Sequence, residues 1–347
     1  MTADPAPDSP ALPVSVITGF LGSGKTTLLN ALVAHPAMGE TAVLINEFGE
    51  VGLDHLLVRK IDETIILLNS GCLCCSVRGD MITALRDLFL KRVRGEVPQF
   101  ARAVIETTGL ADPAPIIHTL MGDPLLGARY RLDGVVATVD AVNGDGQFDA
   151  HPEAVKQAAM ADRLVLTKCD LAGGAAVAAL EARLRRLNPA APICRADHGD
   201  VPPAALFPAG LYDPATKSAD VARWLNAEAY APGQDHDHDR GYDHDVNRHD
   251  DRIRSFCLTF DEPLVWERFV EWMEILQSAR GQNLLRIKGI LNVAGEARPV
   301  VVHGVQHVFH PPATLPAWPT ADRRSRVVFI TRDLGKTAVE AAWRAVA

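Results

Sequence analysis

Short runs of apolar residues alternate with helix-like stretches along the first part of the chain. Runs of strand length, apolar or β-branched throughout, occur at 14–18, 41–45, 65–68, 101–105, 134–139, 163–166 and 192–194. Apolar spacing near 3.6, or a high content of helix-forming residues, predicts helices over 28–34, 81–93 and 175–187. Strands without a polar face that alternate with helices are typical of a parallel sheet covered on both faces. We therefore predict an α/β domain with a mainly parallel sheet over residues 14–212.

The pattern changes in residues 252–347, where strand-like runs dominate. Strands are predicted over 253–260, 284–293, 299–303, 306–309 and 326–331. Helices are predicted over 264–277 and 336–346. Runs of strands with flanking helices indicate a second, smaller α+β domain.

Polar segments precede and join the two predicted domains. Residues 1–13 are rich in proline and alanine and lack the basic start and the apolar stretch of a signal peptide, so we predict a disordered tail. Residues 213–251 are predicted to form a linker, with a short helix over 219–230. The second half of this linker is dense in histidine and aspartate and cannot build an apolar core.

Composition is that of a globular protein from a reducing compartment. Of the 347 residues, 48% are hydrophobic and 22% are charged, and the formal net charge of −8 gives no electrostatic case for binding nucleic acid. No apolar run is long enough to cross a bilayer, so no membrane partner is expected. Six cysteines are too sparse for a disulfide scaffold, which favours reduced thiols and a cytoplasmic location.

A complete phosphate-binding motif lies between the first strand and the first helix. Gly19–Thr26 reads GFLGSGKT, and such a loop turns backbone N–H groups towards phosphate oxygens at a helix N-terminus. Lys25 is predicted to reach the β- and γ-phosphates, and the Thr26 hydroxyl to ligate Mg²⁺. The strand before the loop and the helix after it argue against a chance glycine-rich turn. The predicted nucleotide-binding residues here are Gly22, Ser23, Gly24, Lys25, Thr26 and Thr27.

The segment after the predicted strand 163–166 bears on the base of the nucleotide. It reads Thr167-Lys168-Cys169-Asp170, close to a guanine-binding motif that commonly begins with Asn, so Thr167 is a departure. The Asp170 carboxylate can accept hydrogen bonds from N1–H and the exocyclic amine of guanine, a donor pair that adenine lacks. Lys168 would lie along the base or support the phosphate-binding loop. An ordinary surface loop is the alternative to a GTP site.

Two further loops follow predicted strands. The Glu106 carboxylate is expected near Mg²⁺, directly or through water, and the Gly109 N–H could sense the γ-phosphate. The loop Asn46–Glu50 could order or relax with the γ-phosphate. No residue is clearly placed like the water-orienting glutamine of Ras, so slow hydrolysis of GTP to GDP and phosphate is expected. The residues assigned to catalysis are Lys25, Thr26, Glu47 and Glu106.

Three cysteines lie almost side by side, at Cys72, Cys74 and Cys75. Thiolates select soft or borderline ions, above all Zn²⁺ and Cu(I), and can also hold Co²⁺. A closed structural zinc site normally has four protein ligands. Three cysteines therefore favour an open, exchangeable site whose fourth ligand is water, a histidine or a carboxylate such as Glu47. The alternatives are redox chemistry or the burial of small side chains.

The histidine- and aspartate-rich part of the linker is a second candidate for metal binding. Neutral imidazoles bind Zn²⁺, Ni²⁺ or Co²⁺. A flexible segment loses entropy when it wraps an ion, so we predict a weak accessory site. A solvated acidic linker is the alternative. The histidines concerned are His236, His238, His244 and His249.

Taken together, these motifs resemble those of the CobW-type metallochaperone GTPases, relatives of the HypB and UreG proteins. The resemblance rests on Gly19–Thr26, Asn46–Glu50, Gly71–Cys75, Glu106–Pro113 and Thr167–Asp170, and it extends to Arg286–Gly289 and His303–Pro311. It implies a P-loop GTPase domain, binding of Mg²⁺-GTP, slow hydrolysis and a metal carried at the three cysteines. It implies a zinc role in many members, and cobalt or nitrile hydratase maturation in others.

The leading hypothesis is a GTP-hydrolysing metallochaperone. It would bind a transition metal at the Cys-x-Cys-Cys site, Zn²⁺ first and Co²⁺ next, and transfer it to an apo-metalloprotein client. A nucleotide-dependent metal buffer or regulator without client transfer is the alternative. A small-molecule kinase is disfavoured by the guanine motif. The sequence leaves the formation of a homo-oligomer open.

Overall fold

The computed structural model describes residues 11–46, 66–70, 77–207, 252–309 and 311–346, with the backbone alone at 46, 66–70 and 77–80. Predictions about Glu47, the three clustered cysteines, the linker histidines and the helix over 219–230 lie outside these residues. Within the described ranges, no helix is both long enough and apolar enough to cross a membrane.

Among the described residues, seven parallel strands form the sheet of the first domain. They are β1 (Leu12–Gly19), β2 (Thr41–Asn46), β3 (Ile66–Ser70), β4 (Arg102–Glu106), β5 (Tyr130–Asp140), β6 (Arg163–Thr167) and β7 (Ile193–Arg195). Their order across the sheet is β3-β2-β4-β1-β5-β6-β7. The predicted parallel sheet is therefore confirmed. β1 begins at Leu12, so Leu12 and Pro13 belong to the sheet and not to the predicted tail.

Helices cover both faces of this sheet. They are α1 (Lys25–Val33), α2 (Val77–Arg94), α3 (Ala114–Gly122), α4 (Pro124–Gly127), α5 (Gly144–Ala150), α6 (Pro152–Met160), α7 (Gly174–Leu187) and α8 (Pro203–Leu206). Successive strand residues face opposite sides, so Val43 packs with α1 in one apolar cluster and Leu44 packs with α2 in another. The sequence pattern predicted α1, α2 and α7 but missed α3 to α6 and α8.

The second domain is an antiparallel sheet with two helices. Its strands are β8 (Ile253–Phe260), β9 (Leu284–Leu291), β10 (Val300–Val305), β11 (Val308–Phe309), β12 (Ala313–Thr314) and β13 (Ser325–Arg332), and its helices are α9 (Trp266–Arg280) and α10 (Lys336–Arg344). The strand order is β11-β10-β9-β13-β8, with β12 paired to β10. Trp272 of α9 is fully buried and donates a hydrogen bond to Val339 O of α10 at 3.1 Å. The predicted α+β domain is confirmed.

The two domains share a continuous interface. Leu285 and Ile330 of the second domain belong to the same apolar cluster as Met160 of the first. At its centre, the buried carboxylate of Asp162 accepts hydrogen bonds from Arg286 Nη2 at 2.5 Å and Lys288 Nζ at 2.6 Å. A buried charge is tolerated only when paired, so these residues tie the domains into a fixed arrangement.

Candidate nucleotide-binding site

The phosphate-binding loop joins β1 to α1 at the carboxyl edge of the sheet. Gly24 precedes the helix in the left-handed conformation (φ 88°, ψ 19°), which a glycine adopts without steric cost. Ser23 N–H closes the turn by donating to Phe20 O at 3.1 Å. The loop therefore has the tight turn before a helix N-terminus that phosphate binding requires.

Lys25 lies against the carbonyl groups of this loop. Its Nζ donates to Gly19 O at 3.0 Å and to Phe20 O at 3.2 Å. Burial lowers the pKa of Lys25 from its ordinary value, while the nearby Glu106 carboxylate opposes that shift. The ammonium group is thus held inside the loop, in reach of a bound phosphate.

Thr26 of α1 and Glu106 of β4 come together at the carboxyl edge of the sheet. Thr26 Oγ1 donates to Glu106 Oε1 at 3.1 Å, and Glu106 is buried at the end of β4. Hydroxyl and carboxylate oxygens are hard ligands of the kind Mg²⁺ prefers, usually with several waters and substrate phosphates. This donor set fits the predicted magnesium site, and it brings together two residues that lie 80 positions apart in the sequence.

The loop after β4 presses directly on the phosphate-binding loop. A Cβ atom at Gly109 would lie 2.7 Å from Leu21 N and 2.8 Å from Leu21 Cα, closer than real contacts allow. Only a glycine fits at this approach of two backbones. Gly109 therefore borders the phosphate-binding loop, as its predicted role requires.

The segment Thr167–Asp170 follows β6 and is tied to the phosphate-binding loop. Thr167 Oγ1 donates to Ser23 O at 2.8 Å, which gives this departure from the common motif a structural role. Lys168 Nζ donates to Gly22 O at 2.7 Å and to Asp140 Oδ2 at 2.7 Å. Of the two roles predicted for Lys168, the structure shows support of the phosphate-binding loop. Asp170 is exposed at the same edge.

Sequence reasoning missed two parts of this site. Asp140, at the end of β5, holds Lys168 in place; its position at a strand end was the available signal. The turn after β7 approaches the start of α1, where a Cβ at Gly199 (φ +86°) would lie 2.7 Å from Thr27 O. That turn thus lies against the first turn of α1, next to the phosphate-binding loop, and no motif in the sequence predicted it.

The metal ligands predicted from sequence lie outside the described residues. These are Cys72, Cys74, Cys75, Glu47, His236, His238, His244 and His249. Across the described ranges, no group of three or more His, Cys, Asp or Glu side chains is arranged to hold a metal ion. The neighbouring strand ends are described: Asn46 of β2 is opposite Ser70 of β3.

A parallel sheet, a phosphate-binding loop with Lys25, and the Thr26–Glu106 pair define a P-loop nucleotide-binding protein of the GTPase class. Residues 13–195 match the family model described as the CobW/HypB/UreG nucleotide-binding domain, and residues 253–347 match the cobalamin synthesis protein cobW C-terminal domain. The chain belongs to the CobW/HypB/UreG family.

Similar proteins span nearly the whole chain. Zinc chaperone YjiA of Escherichia coli is 35% identical over 330 residues, which cover 95% of this chain and 97% of the relative. Zinc-regulated GTPase metalloprotein activator 1 of Saccharomyces cerevisiae is 28% identical, covering 95% and 82%. The crystal structure of the Zn(II)-bound YjiA GTPase from E. coli superposes with a TM-score of 0.71 at 31% identity, covering 98% of this chain and 100% of that one. The predicted family and the GTPase class are confirmed.

Proposed function

We propose that this GTPase is a metallochaperone that binds Zn²⁺ at Cys72, Cys74 and Cys75 and transfers it to an apo-metalloprotein client. Co²⁺ is the next candidate for the cargo. The E. coli and yeast relatives are named as a zinc chaperone and a metalloprotein activator, which supports this class of activity. Thiolates bind either ion in an open site.

The observation that carries the proposal is the register of β2 and β3. Asn46 and Ser70 are paired at the carboxyl edge, where adjacent strands lie about 4.8 Å apart. Glu47 directly follows Asn46, and Cys72 comes two residues after Ser70. The proximity of these two strand ends supports Glu47 as the fourth ligand beside the three thiolates.

The same register supports coupling between metal and nucleotide. Ile45 of β2 pairs with Glu106 of β4, so the end of β3 is two strand spacings, about 10 Å, from the proposed magnesium ligand. A change in the loop that contains Glu47 would reach both sites. Loss of the γ-phosphate on hydrolysis would then reshape the thiolate site and release the ion.

In the hydrolysis reaction, Lys25 would neutralise charge on the β- and γ-phosphates. Thr26 and Glu106 would hold Mg²⁺, which supplies further charge neutralisation at those oxygens. Gly109 would donate its N–H to the γ-phosphate, and Asp170 would select guanine through Asp–base hydrogen bonds. The second domain would recognise the client, and the linker histidines would collect metal weakly.

A zinc competition titration tests this proposal. Affinity is measured against a chromophoric chelator with GDP and with a non-hydrolysable GTP analogue, and we expect two different zinc affinities. Replacing Cys72, Cys74 and Cys75 together with Ser should abolish tight binding and preserve GTP binding, whereas Lys25→Ala should do the reverse. Equal zinc affinity in both nucleotide states would contradict the coupled mechanism. Retained affinity in the triple variant would move the site to the linker histidines.

A metal-transfer assay distinguishes a chaperone from a metal buffer or regulator. An apo-client is first recovered by pull-down under metal limitation. Zinc-loaded protein is then mixed with this client, and the client's activity is followed with GTP and with GDP. GTP-dependent activation above that given by the same free zinc concentration supports transfer. Activation explained by free zinc alone favours the buffer.

A further inference from the structure

Helix α6 contacts both loops that surround the nucleotide site. At its start, the His151 ring stacks on Phe20 of the phosphate-binding loop, with 4.5 Å between ring centroids. One turn later, Lys156 and Gln157 contact the loop after β4. Helix α6 therefore spans from the phosphate-binding loop to the loop proposed to sense the γ-phosphate.

The far end of α6 is fixed to the second domain. Arg286 donates to Met160 O, the last residue of the helix, and also pairs with Asp162 just beyond it. Asn188 Nδ2 caps the same end by donating to the carbonyl groups of Ala158, Ala159 and Ala161. The helix is thus held at both ends, and its middle part supports the loop after β4.

The hydrogen bonds of the Gln157 side chain are not explained by packing alone. It is 1% exposed, and its Nε2 donates to Gly109 O at 3.1 Å and to Ala111 O at 2.9 Å. Two carbonyl acceptors fix the orientation of the amide. Its buried Oε1 accepts no hydrogen bond from the described residues. A buried acceptor left without a donor destabilises the fold, so this orientation is explained by the loop that it holds.

Lys156, which precedes Gln157 on α6, contacts the same loop one residue further along. Its Nζ is 2.5 Å from Asp112 Oδ2, and its side chain is largely buried. Adjacent side chains of α6 therefore hold Gly109, Ala111 and Asp112. Because Gly109 already touches the backbone of Leu21, a small shift of this loop would change how its N–H meets a bound phosphate.

We infer that Gln157 and Lys156 are positioning residues that hold the 109–112 loop in register with the γ-phosphate. This inference rests on the proposed role of Gly109 in sensing that phosphate. Neither side chain needs to touch the nucleotide for this role.

Gln157→Met tests the inference, because it keeps the side-chain volume and removes both N–H donors. We expect kcat for GTP hydrolysis to fall by about tenfold or more while KM changes by less than about threefold. The ratio of affinities for a GTP analogue and GDP should also move towards one, since only the γ-phosphate contact is disturbed. A purely structural role would leave both readouts unchanged in the folded fraction, which is counted by GDP-binding stoichiometry.

Asn188→Leu is the matched control. It too removes buried amide donors from α6 carbonyl groups, but at the end remote from the loop. It should lower the melting temperature as Gln157→Met does while keeping kcat within about twofold. An equal fall in kcat for both variants would overturn the inference.

Lys156→Met keeps the test decisive if Gln157→Met does not fold. The side chain of Asp112, the partner of Lys156, is 38% exposed, so solvent weakens this contact, and we expect kcat to fall by about threefold at unchanged KM. Wild-type kcat in this variant, or in folded Gln157→Met, overturns the inference. Equal zinc affinity of the wild type in its two nucleotide states contradicts the proposed coupling of metal and nucleotide instead, so the two failures are distinguishable.

Discussion

Lys168 and Asp140 form an ion pair, with 2.7 Å between Nζ and Oδ2, at the centre of the nucleotide site. Burial by itself would raise the pKa of Asp140, but hydrogen bonds from Lys168, Asn143 and the backbone N–H of Val142 hold the pKa below its usual range. Asp140 is therefore charged at neutral pH. It fixes the ammonium group that also donates to Gly22 O and so ties the base-binding segment to the phosphate-binding loop.

Lys168→Met should loosen this tie without removing any group that touches phosphate. The variant leaves Asp140 charged and buried and frees Gly22 O, so we expect GDP to bind at least about tenfold more weakly by calorimetry. Arg195→Met is the control, because it removes an exposed ion pair to Glu181 that does not contact the phosphate-binding loop. Wild-type GDP affinity in Lys168→Met would show that the tie is dispensable.

Asp170→Asn should change the preferred base. The amide loses an acceptor for the guanine donors and gains an N–H that matches the C2 carbonyl of xanthine. GTP affinity should fall by about a hundredfold or more, and xanthosine triphosphate should bind better than GTP. Both affinities are measured by displacement of a fluorescent nucleotide. A variant that still prefers GTP would remove Asp170 from base recognition.

The motifs at strand ends could be predicted from sequence because parallel strands bring their carboxyl ends to one edge. Thr26 and Glu106 are examples: Thr26 ends the motif that follows the apolar strand β1, Glu106 ends the apolar strand β4, and they meet at 3.1 Å. Helix α6 could not be found in this way. It is only nine residues long, shorter than the window over which helical periodicity is read, so the recurrence of Glu153, Lys156 and Gln157 within it is too brief to stand out.

The role of Gln157 was missed because its contacts are tertiary. Its partners Gly109 and Ala111 lie 48 and 46 residues away in the chain, and a glutamine without a motif carries no sign of such contacts. The domain interface was hidden likewise, because the pairing of Asp162 with Arg286 depends on how two separately folded sheets meet. Tertiary contacts of this kind are not encoded in local periodicity.

Glu106→Gln should raise the Mg²⁺ requirement of hydrolysis. The amide keeps a hydrogen-bond partner for Thr26 but loses the charge that favours the dication. We expect the Mg²⁺ concentration for half-maximal activity to rise by about tenfold, with GDP binding in EDTA unchanged. A titration of activity against Mg²⁺ gives the first quantity. An unaltered requirement would exclude Glu106 as a direct or water-mediated magnesium ligand.

Asp162→Asn should destabilise the interface between the domains. The substitution leaves Arg286 and Lys288 buried without their carboxylate, and such a change costs about 3–5 kcal/mol of unfolding free energy. Asp333→Asn is the control, since its pair with Arg252 is exposed and screened by solvent and should contribute far less. Urea denaturation measures both. Similar losses in the two variants would show that burial adds nothing to the Asp162 contact.

The contribution of the Asp162 carboxylate to the free energy of unfolding should disappear in acid. Burial by itself would raise the pKa of this carboxyl, but Arg286 and Lys288 hold it far below the ordinary value. The unfolded chain, with a pKa of about 3.9, therefore takes up a proton before the folded one as the pH falls. The difference in unfolding free energy between wild type and Asp162→Asn should stay constant from pH 7 to about 5 and narrow below about 4. A gap that is unchanged at pH 3 would mean that the charge of Asp162 does not stabilise the fold.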